Sequence, residues 1–527
     1  MPMMDIVRGI TALWQWLPFV LVGLAMAVSL PRLPLVQRWA HRVLVLAVSV
    51  SAVAAVLFTA GLWQPLSAPG LWVHLDGLAI WMGLLVSFIA WVNLRYARRY
   101  MAGDPGEARF LRWFLVAVAA VELLVSTSHL LVLAAAWILI SLALHPLLLL
   151  YDRFASRDAA SQKFLVSRLG DAALVVGVVL LYQRFGSFDL LQIGAAVTQA
   201  DAASLTGPAI AFAMAAVLQC AQIPFHGWLI RVMEAPTPVS ALLHAGIINL
   251  GGFLWLRMAP VFEANVAGHG VLLLFGAITV VLASLVMMQQ SSIKHTLAWS
   301  TSAQMGFMLL ELGLGAYTLA LLHLIAHSLY KAHAFLSTGR VVTAPSIGVD
   351  SRMSSSRLLG VLVVAVPVAA YAAGSLWNVH PVILLILGLA AVQAAVGVLP
   401  SLPRRLGWIP AVFVAVLPLA YGLWHGLLGG VVGNAAVSDL FLQPAVALPL
   451  LLLFTLFAAG VMALQWAPAH PLCRRLRAHC QNDFYLAEPL DRLSRVVHRT
   501  LTSRPLPRTQ GPAAQVPLHS SLRGAGS

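Results

Sequence analysis

Apolar and polar positions alternate on a long scale in this chain. About fifteen apolar runs are separated by short polar intervals, near 13–30, 43–63, 71–93, 111–127, 129–150, 164–183, 208–230, 236–256, 269–288, 295–313, 316–338, 358–374, 379–399, 407–430 and 440–465. A helix of about 20 apolar residues crosses a bilayer. Backbone groups in oil must satisfy one another, so runs of this length predict helices rather than open strands. The pattern therefore predicts an all-α polytopic membrane protein with a transmembrane domain over residues 1–467. The first run, Trp14 to Leu30, lacks a small-residue cleavage site and is expected to remain as a span. Beyond it all, residues 468–502 are expected to form a cytoplasmic amphipathic segment, with Leu486, Leu490, Leu493 and Val497 on one face. The Pro-containing, basic stretch 503–527 is expected to be disordered.

The polar intervals separate by charge. One alternate set holds Arg32, Arg38 and Arg42, Arg95 to Arg112, Arg153 to Arg168, Arg231, Lys294, Arg340 to Arg357, Arg404 and Arg405, and the tail. It carries 28 of the 32 basic residues, and the opposite set has little beyond Arg8, Arg184 and Arg257. Basic residues stay on the cytoplasmic side. This predicts an N-terminus outside and a C-terminus inside. It also accounts for the net charge of +14 without nucleic acid; the expected surroundings are membrane lipid.

Two runs are interrupted by proline: Pro224 in A-Q-I-P-F-H-G-W and Pro367 in V-A-V-P-V-A-A-Y. Proline breaks a helix and frees carbonyls. Matching breaks in two halves mark inverted repeats and a mid-membrane ion route in transporters. The breaks fall in the fourth span of each five-span unit, about 111–256 and 269–399, which predicts two inverted five-helix repeats, each with a proline-broken helix. Pro236 and Pro238 mark another helix boundary.

Several polar residues lie inside the apolar runs. His323, His327 and Lys331 recur every four residues, so a helix stacks them on one face. Each ionisable group in oil costs about 3 kcal/mol by insertion scales, so a stripe of them predicts a proton or cation path. The chain has only three lysines, Lys163, Lys294 and Lys331. A desolvated lysine can release its proton, whereas arginine essentially cannot. Lys294, Glu122, His244 and Gln219 are further path candidates. Arg168 and Asp171, three apart at a helix start, are expected to form a local ion pair. His333 falls off the stripe.

Only 9% of residues are charged and 60% are hydrophobic, far from the roughly 25% charged of aqueous domains. The three cysteines, Cys220, Cys473 and Cys480, fit neither a disulfide framework nor a C-x-x-C site. No P-loop or dinucleotide glycine pattern is present. The composition points away from nucleotide hydrolysis and resident redox centres.

At this point the motifs resemble a known family. M-E-A-P-T-P-V-S-A-L-L-H-A (233–245), S-S-I-K-H-T-L-A-W-S-T-S-A-Q-M-G-F-M (291–308) and L-H-L-I-A-H-S-L-Y-K-A-H-A-F-L (322–336) are similar to the antiporter-like subunits of respiratory complex I and of Mrp-type antiporters. V-H-L-D-G-L (73–78), K-F-L-V-S-R-L-G-D (163–171) and F-Y-L-A-E-P-L-D-R-L (484–493) fit as well. The nearest likeness is to the DabB group, membrane subunits of Dab-type inorganic carbon (bicarbonate) transporters. That resemblance implies a transporter subunit of a bacterial inner membrane rather than an enzyme, in a hetero-oligomer with a DabA-like, zinc carbonic-anhydrase-related cytoplasmic partner. It implies cation flow through this chain coupled to CO2 hydration there, with no cofactor in this chain and zinc in the partner. A proton-pumping subunit of an NADH–quinone oxidoreductase and an Mrp-type sodium/proton antiporter subunit are the alternatives. The family's pumping subunits place a glutamate after the tryptophan of the fifth span; here Ile138 follows Trp137. They place a lysine five residues before the break proline, where this chain has Gln219. These departures imply a simpler route through Lys294, His323, His327 and Lys331.

Overall fold

The structure, a computed structural model, describes residues 2–65, 73–151, 153–339, 428–432, 444–467, 469–486, 488 and 492. Among these residues every regular element is a helix. The long ones are α1 (Pro2–Met26), α2 (Leu33–Thr59), α3 (Gly77–Tyr100), α4 (Glu107–Ser126), α5 (Leu130–Leu148) and α6 (Phe154–Phe185). A short α7 (Leu190–Val197) precedes α8 (Thr206–Gln219), α9 (Gly227–Arg231), α10 (Thr237–Ala245) and α11 (Leu250–Phe262). Then come α12 (Val266–Met287), α13 (Ile293–Gly313), α14 (Tyr317–Leu336), α15 (Pro444–Trp466) and α16 (Pro471–Gln481).

Ten segments among the described residues are long and apolar enough to cross a membrane. The chain is a multi-pass membrane protein. The expected spans 358–374 and 379–399, most of 407–430, and Pro367 lie outside the described residues, and with them the last two of the five spans expected in the second repeat. The expected amphipathic segment begins as α16, which ends at Gln481, before the Leu486 to Val497 stripe. α16 buries Cys473 and Cys480 against α15 and Leu285. Leu490, Leu493, Val497 and the tail 503–527 lie outside the described residues.

Local chemistry sets the helix ends. Asp76 caps α3 by accepting from Ala79 N at 2.8 Å, and Asn265 caps α12 by accepting from Gly268 N at 3.0 Å. Both supply acceptors for first-turn amides that no preceding turn can satisfy. Asp76 also binds Arg257 of α11 at 2.7 Å, and Arg257 donates to Val125 O of α4 at 2.9 Å. One buried guanidinium thereby ties the ends of three helices.

Close helix packing is written in glycine. α12 and α13 meet at Gly276 and Gly306; a Cβ on Gly276 would lie 2.7 Å from both Gly306 O and Leu310 N. α11 approaches α8 at Gly251, where a Cβ would lie 2.5 Å from Ala216 O. Backbones this close leave no room for any larger residue.

Among the described residues two spans are broken. The first stops at Gln219 and resumes at Gly227, past Pro224. The second, read from the sequence as one run near 236–256, is interrupted at Gly246 and continues to Phe262. Pro236 and Pro238 stand at its start, where a missing N–H costs nothing. Unpaired backbone in a membrane must be satisfied by neighbours, and the first break supplies donors to the second. Gln219 Nε2 donates to Ile247 O at 2.9 Å, and Cys220 Sγ reaches Ile248 O at 3.3 Å. Ile223 N donates to Thr279 Oγ1 at 3.1 Å. Asn93 of α3 holds Pro238 O at 2.9 Å.

Candidate functional site

The polar stripe lies on α14, whose buried face includes Leu324, His327, Ser328, Lys331 and Phe335. Lys331 is wholly buried. Its Nζ donates to Leu297 O of α13 at 3.0 Å. The same carbonyl accepts from Thr301 Oγ1 at 2.9 Å. Thr301 Oγ1 in turn meets His244 Nδ1 of α10 at 3.1 Å. A hydroxyl has one proton. Thr301 spends it on Leu297 O, so His244 Nδ1 must carry the proton of that contact and Nε2 must be bare. The His244 Nε2 atom is buried without a hydrogen-bond partner.

His327 repeats the arrangement one turn away. Its ring bonds the backbone of His244, and its own Nε2 is buried without a hydrogen-bond partner. Phe335 stacks on the His244 ring at a centroid separation of 4.5 Å and helps hold it. The centre thus holds two imidazoles, each with one buried, unpartnered ring nitrogen, within electrostatic reach of one another and of one buried amine. An imidazole lone pair without a donor is a proton acceptor held ready.

The break at Gly246 is fastened to this centre. Asn249 Nδ2 donates to Ser328 Oγ at 2.7 Å and to Ala245 O at 3.1 Å. The sequence reading passed over Asn249 and Thr301; the signal was a polar side chain in an otherwise apolar stretch.

The stripe continues to both sides. His323 lies edge-on to His327, with ring centroids 6.1 Å apart. Its Nδ1 meets Glu311 Oε2 at 2.9 Å and its Nε2 meets Gln304 Oε1 at 2.9 Å. At the other end, Lys294 Nζ reaches Met233 O at 3.5 Å, at the start of α13. His333, off the stripe as expected, is exposed and lines a cleft between α3 and α14.

Other expected site residues stand apart. Glu122 is fully buried and accepts from Ser87 Oγ at 2.7 Å, so its described partner is a hydroxyl rather than a histidine or arginine. A cavity of about 30 Å³ lies between α3, α4, the Gly246 break and α14, lined by Leu85, Val118, Leu242, Asn249, Leu324 and Ser328 among others. Its walls are mostly apolar, and polar partners are what hold a water in such a space. No hydrogen bond among the described residues joins Glu122 to the stripe. Gln219 is committed to the second break, as above.

A second polar group gathers on α5, α6 and α9. Arg168 and Asp171 form the expected ion pair at 2.6 Å. Arg168 also donates to Ser141 Oγ at 2.9 Å. Lys163, one of the three lysines but not among the expected path residues, is buried, bonds Ser167 and sits 4.8 Å over the Trp228 ring. Arg231 pairs with Asp158 nearby.

Residues 127–434 match the family described as NADH:quinone oxidoreductase/Mrp antiporter, TM. Residues 70–111 match the family described as NADH-Ubiquinone oxidoreductase (complex I), chain 5 N-terminus. The chain is 47% identical over 284 residues to a protein of Hydrogenovibrio crunogenus named "Probable inorganic carbon transporter subunit DabB", covering 53% of this chain and 55% of that one. It is 46% identical over 270 residues to "Probable inorganic carbon transporter subunit DabB2" of Halothiobacillus neapolitanus, covering 51% and 49%. The matched region thus spans about half the length of these curated relatives. Among solved structures, the Mrp complex from Dietzia sp. DQ12-45-1b shares the fold, with a TM-score of 0.61 at 22% identity over 92% of this chain and 60% of that one. Long apolar helices, paired helix breaks and a matched region covering more than half of the chain lead to one conclusion: this protein belongs to the NADH:quinone oxidoreductase/Mrp antiporter membrane family.

Proposed function

We propose that the chain is the proton-conducting membrane subunit of a two-component inorganic carbon transporter, the counterpart of the DabB-named relatives. The observation that carries this is the centre on α10, α13 and α14: a wholly buried Lys331 beside the bare Nε2 atoms of His244 and His327. A cation and two unfilled proton acceptors in oil are costly unless protons move among them. Lys331 as ammonium gives a proton to a neighbouring imidazole and becomes an amine; the imidazolium passes it on, and the amine reloads. Lys294 marks the end of the row beside the arginine-rich loops, which we take as cytoplasmic, with the N-terminus periplasmic. The carrier is a proton rather than sodium because the groups left open are ring nitrogens, whereas hard cations take oxygen ligands. Ile138 and Gln219, where the family's pumping subunits have glutamate and lysine, support one route through α14.

In this reading a DabA-like cytoplasmic partner holds the zinc and hydrates CO2, and proton flow through this chain drives that step. Inorganic carbon uptake by cells expressing Lys331→Ala with the partner tests it. Uptake is expected to fall by roughly a hundredfold, the scale of losing one proton-transfer group. Uptake at the parental rate would remove Lys331 from the mechanism.

A further inference from the structure

The far end of the row holds a group that the sequence reading did not weigh. Glu311 is the only acid in α13, and α14 has none. Its side chain is 1% exposed. We propose that Glu311 and His323, with Gln304, form the loading site at which a proton joins the row at the end opposite Lys294; this rests on the reading above.

Partner chemistry is the first reason. The ion pairs of Asp76, Asp158 and Asp171 are all with arginine, which keeps its proton. Glu311 is paired instead with an imidazole, at 2.9 Å. A carboxylate and an imidazole can exchange a proton along that contact, whereas a carboxylate and a guanidinium can only hold one another. A fixed ion pair in oil is also weak evidence for stability, since apolar residues of the same volume often do as well.

Placement is the second reason. Gln304 is exposed while Glu311 is buried, and His323 bonds both. The cluster runs from the surface of the bundle inward. Its inner edge meets His327, whose ring lies 6.1 Å away and whose Nε2 is unpartnered. Phe307 packs on the His323 ring at 5.3 Å and limits its freedom.

The step balances. With Nε2–H donated to Gln304 Oε1, the neutral His323 ring has its lone pair on Nδ1, facing Glu311. A proton taken up by the Glu311 carboxylate passes to Nδ1 and leaves a carboxylate beside an imidazolium. The imidazolium turns its Nε2–H from Gln304 toward His327 and releases that proton, and the ring is left neutral with a proton on Nδ1; a shift of that proton back to Nε2 readies the ring for the next. One proton enters and one leaves.

The test compares inorganic carbon uptake in cells expressing the full chain and its partner as parental protein, Glu311→Gln, Glu311→Asp and Lys331→Ala, each normalised to the amount in the membrane. Glu311→Gln keeps the shape and a hydrogen bond to His323 but cannot take up a proton. It is expected to lose uptake by roughly tenfold or more, and Glu311→Asp, which keeps the carboxylate, is expected to recover most of it. A merely structural role predicts the reverse order, because Gln fits and Asp is short. Glu311→Gln at the parental rate, or Glu311→Asp no better than Glu311→Gln, overturns the loading site. If Lys331→Ala is inactive in the same experiment, the function stands without it; if Lys331→Ala is also at the parental rate, both fall.

Discussion

At the scale of single residues, the difference between a polar group that holds structure and one that can carry charge lies in its partners. Gln219 illustrates the first kind. Its amide donates to Ile247 O, a carbonyl freed by the break at Gly246. Gln219→Leu removes the donor and leaves that carbonyl buried and bare, which is expected to cost about 1–3 kcal/mol. Thermal unfolding of the detergent-purified protein checks this, and an unchanged midpoint would mean that another donor takes over. His244 and His327 illustrate the second kind, each keeping one ring nitrogen unfilled. The spacing of His323, His327 and Lys331 was legible because a helix repeats every 3.6 residues. Glu311, Thr301 and Asn249 were not, because their partners lie on other helices and a lone polar residue in an apolar run does not announce its mate.

At the scale of elements, close approach of backbones decides which helices form the frame of the site. α13 carries Leu297, Thr301, Gln304 and Glu311, and its position is fixed by the contact of Gly306 with Gly276 on α12. Gly276→Leu would place a side chain 2.7 Å from Gly306 O and Leu310 N before it extended any further. The backbones must separate, at an expected cost of about 1–3 kcal/mol or more. The yield of folded protein extracted from membranes checks this, with Gly270→Ala, which meets nothing within 4 Å, as the neutral comparison. The proline break at Pro224 was legible in the sequence. The break at Gly246 was not, because glycine inside a span more often serves packing than interruption. Only the bonds that Gln219 and Cys220 give to the carbonyls of Ile247 and Ile248, and the one Ile223 N gives to Thr279, show why both are tolerated.

At the scale of the whole molecule, a segment near residue 484 returns to the transmembrane bundle. Phe484 and Leu486 pack beside Ile223, Val286 and Trp299, next to the first break. Asp483 meets Gln290 Nε2 at 3.5 Å, and burial pushes its carboxyl up to about 6, against the opposing charge of His295. A carboxyl whose folded value lies above its ordinary 3.8 favours the docked state most fully below that ordinary value, and the contribution fades as pH rises through about 6. Amide exchange at Tyr485 and Leu486, corrected for intrinsic rates, is therefore expected to be faster at about pH 8 than at about pH 5. Asp483→Asn should abolish that difference; a difference that persists in the variant would place its origin elsewhere.

The sequence by itself determined the solvent of this protein, its helical class and the register of its main polar stripe. Those follow from run length, charge distribution and a four-residue spacing, all of which act along one stretch of chain. Tertiary structure decided which of the buried polar groups are satisfied and which are left open. That choice depends on atoms brought together from α10, α13 and α14, because a lone pair is bare or filled according to what stands within about 3 Å of it, and no pattern along the chain records that distance.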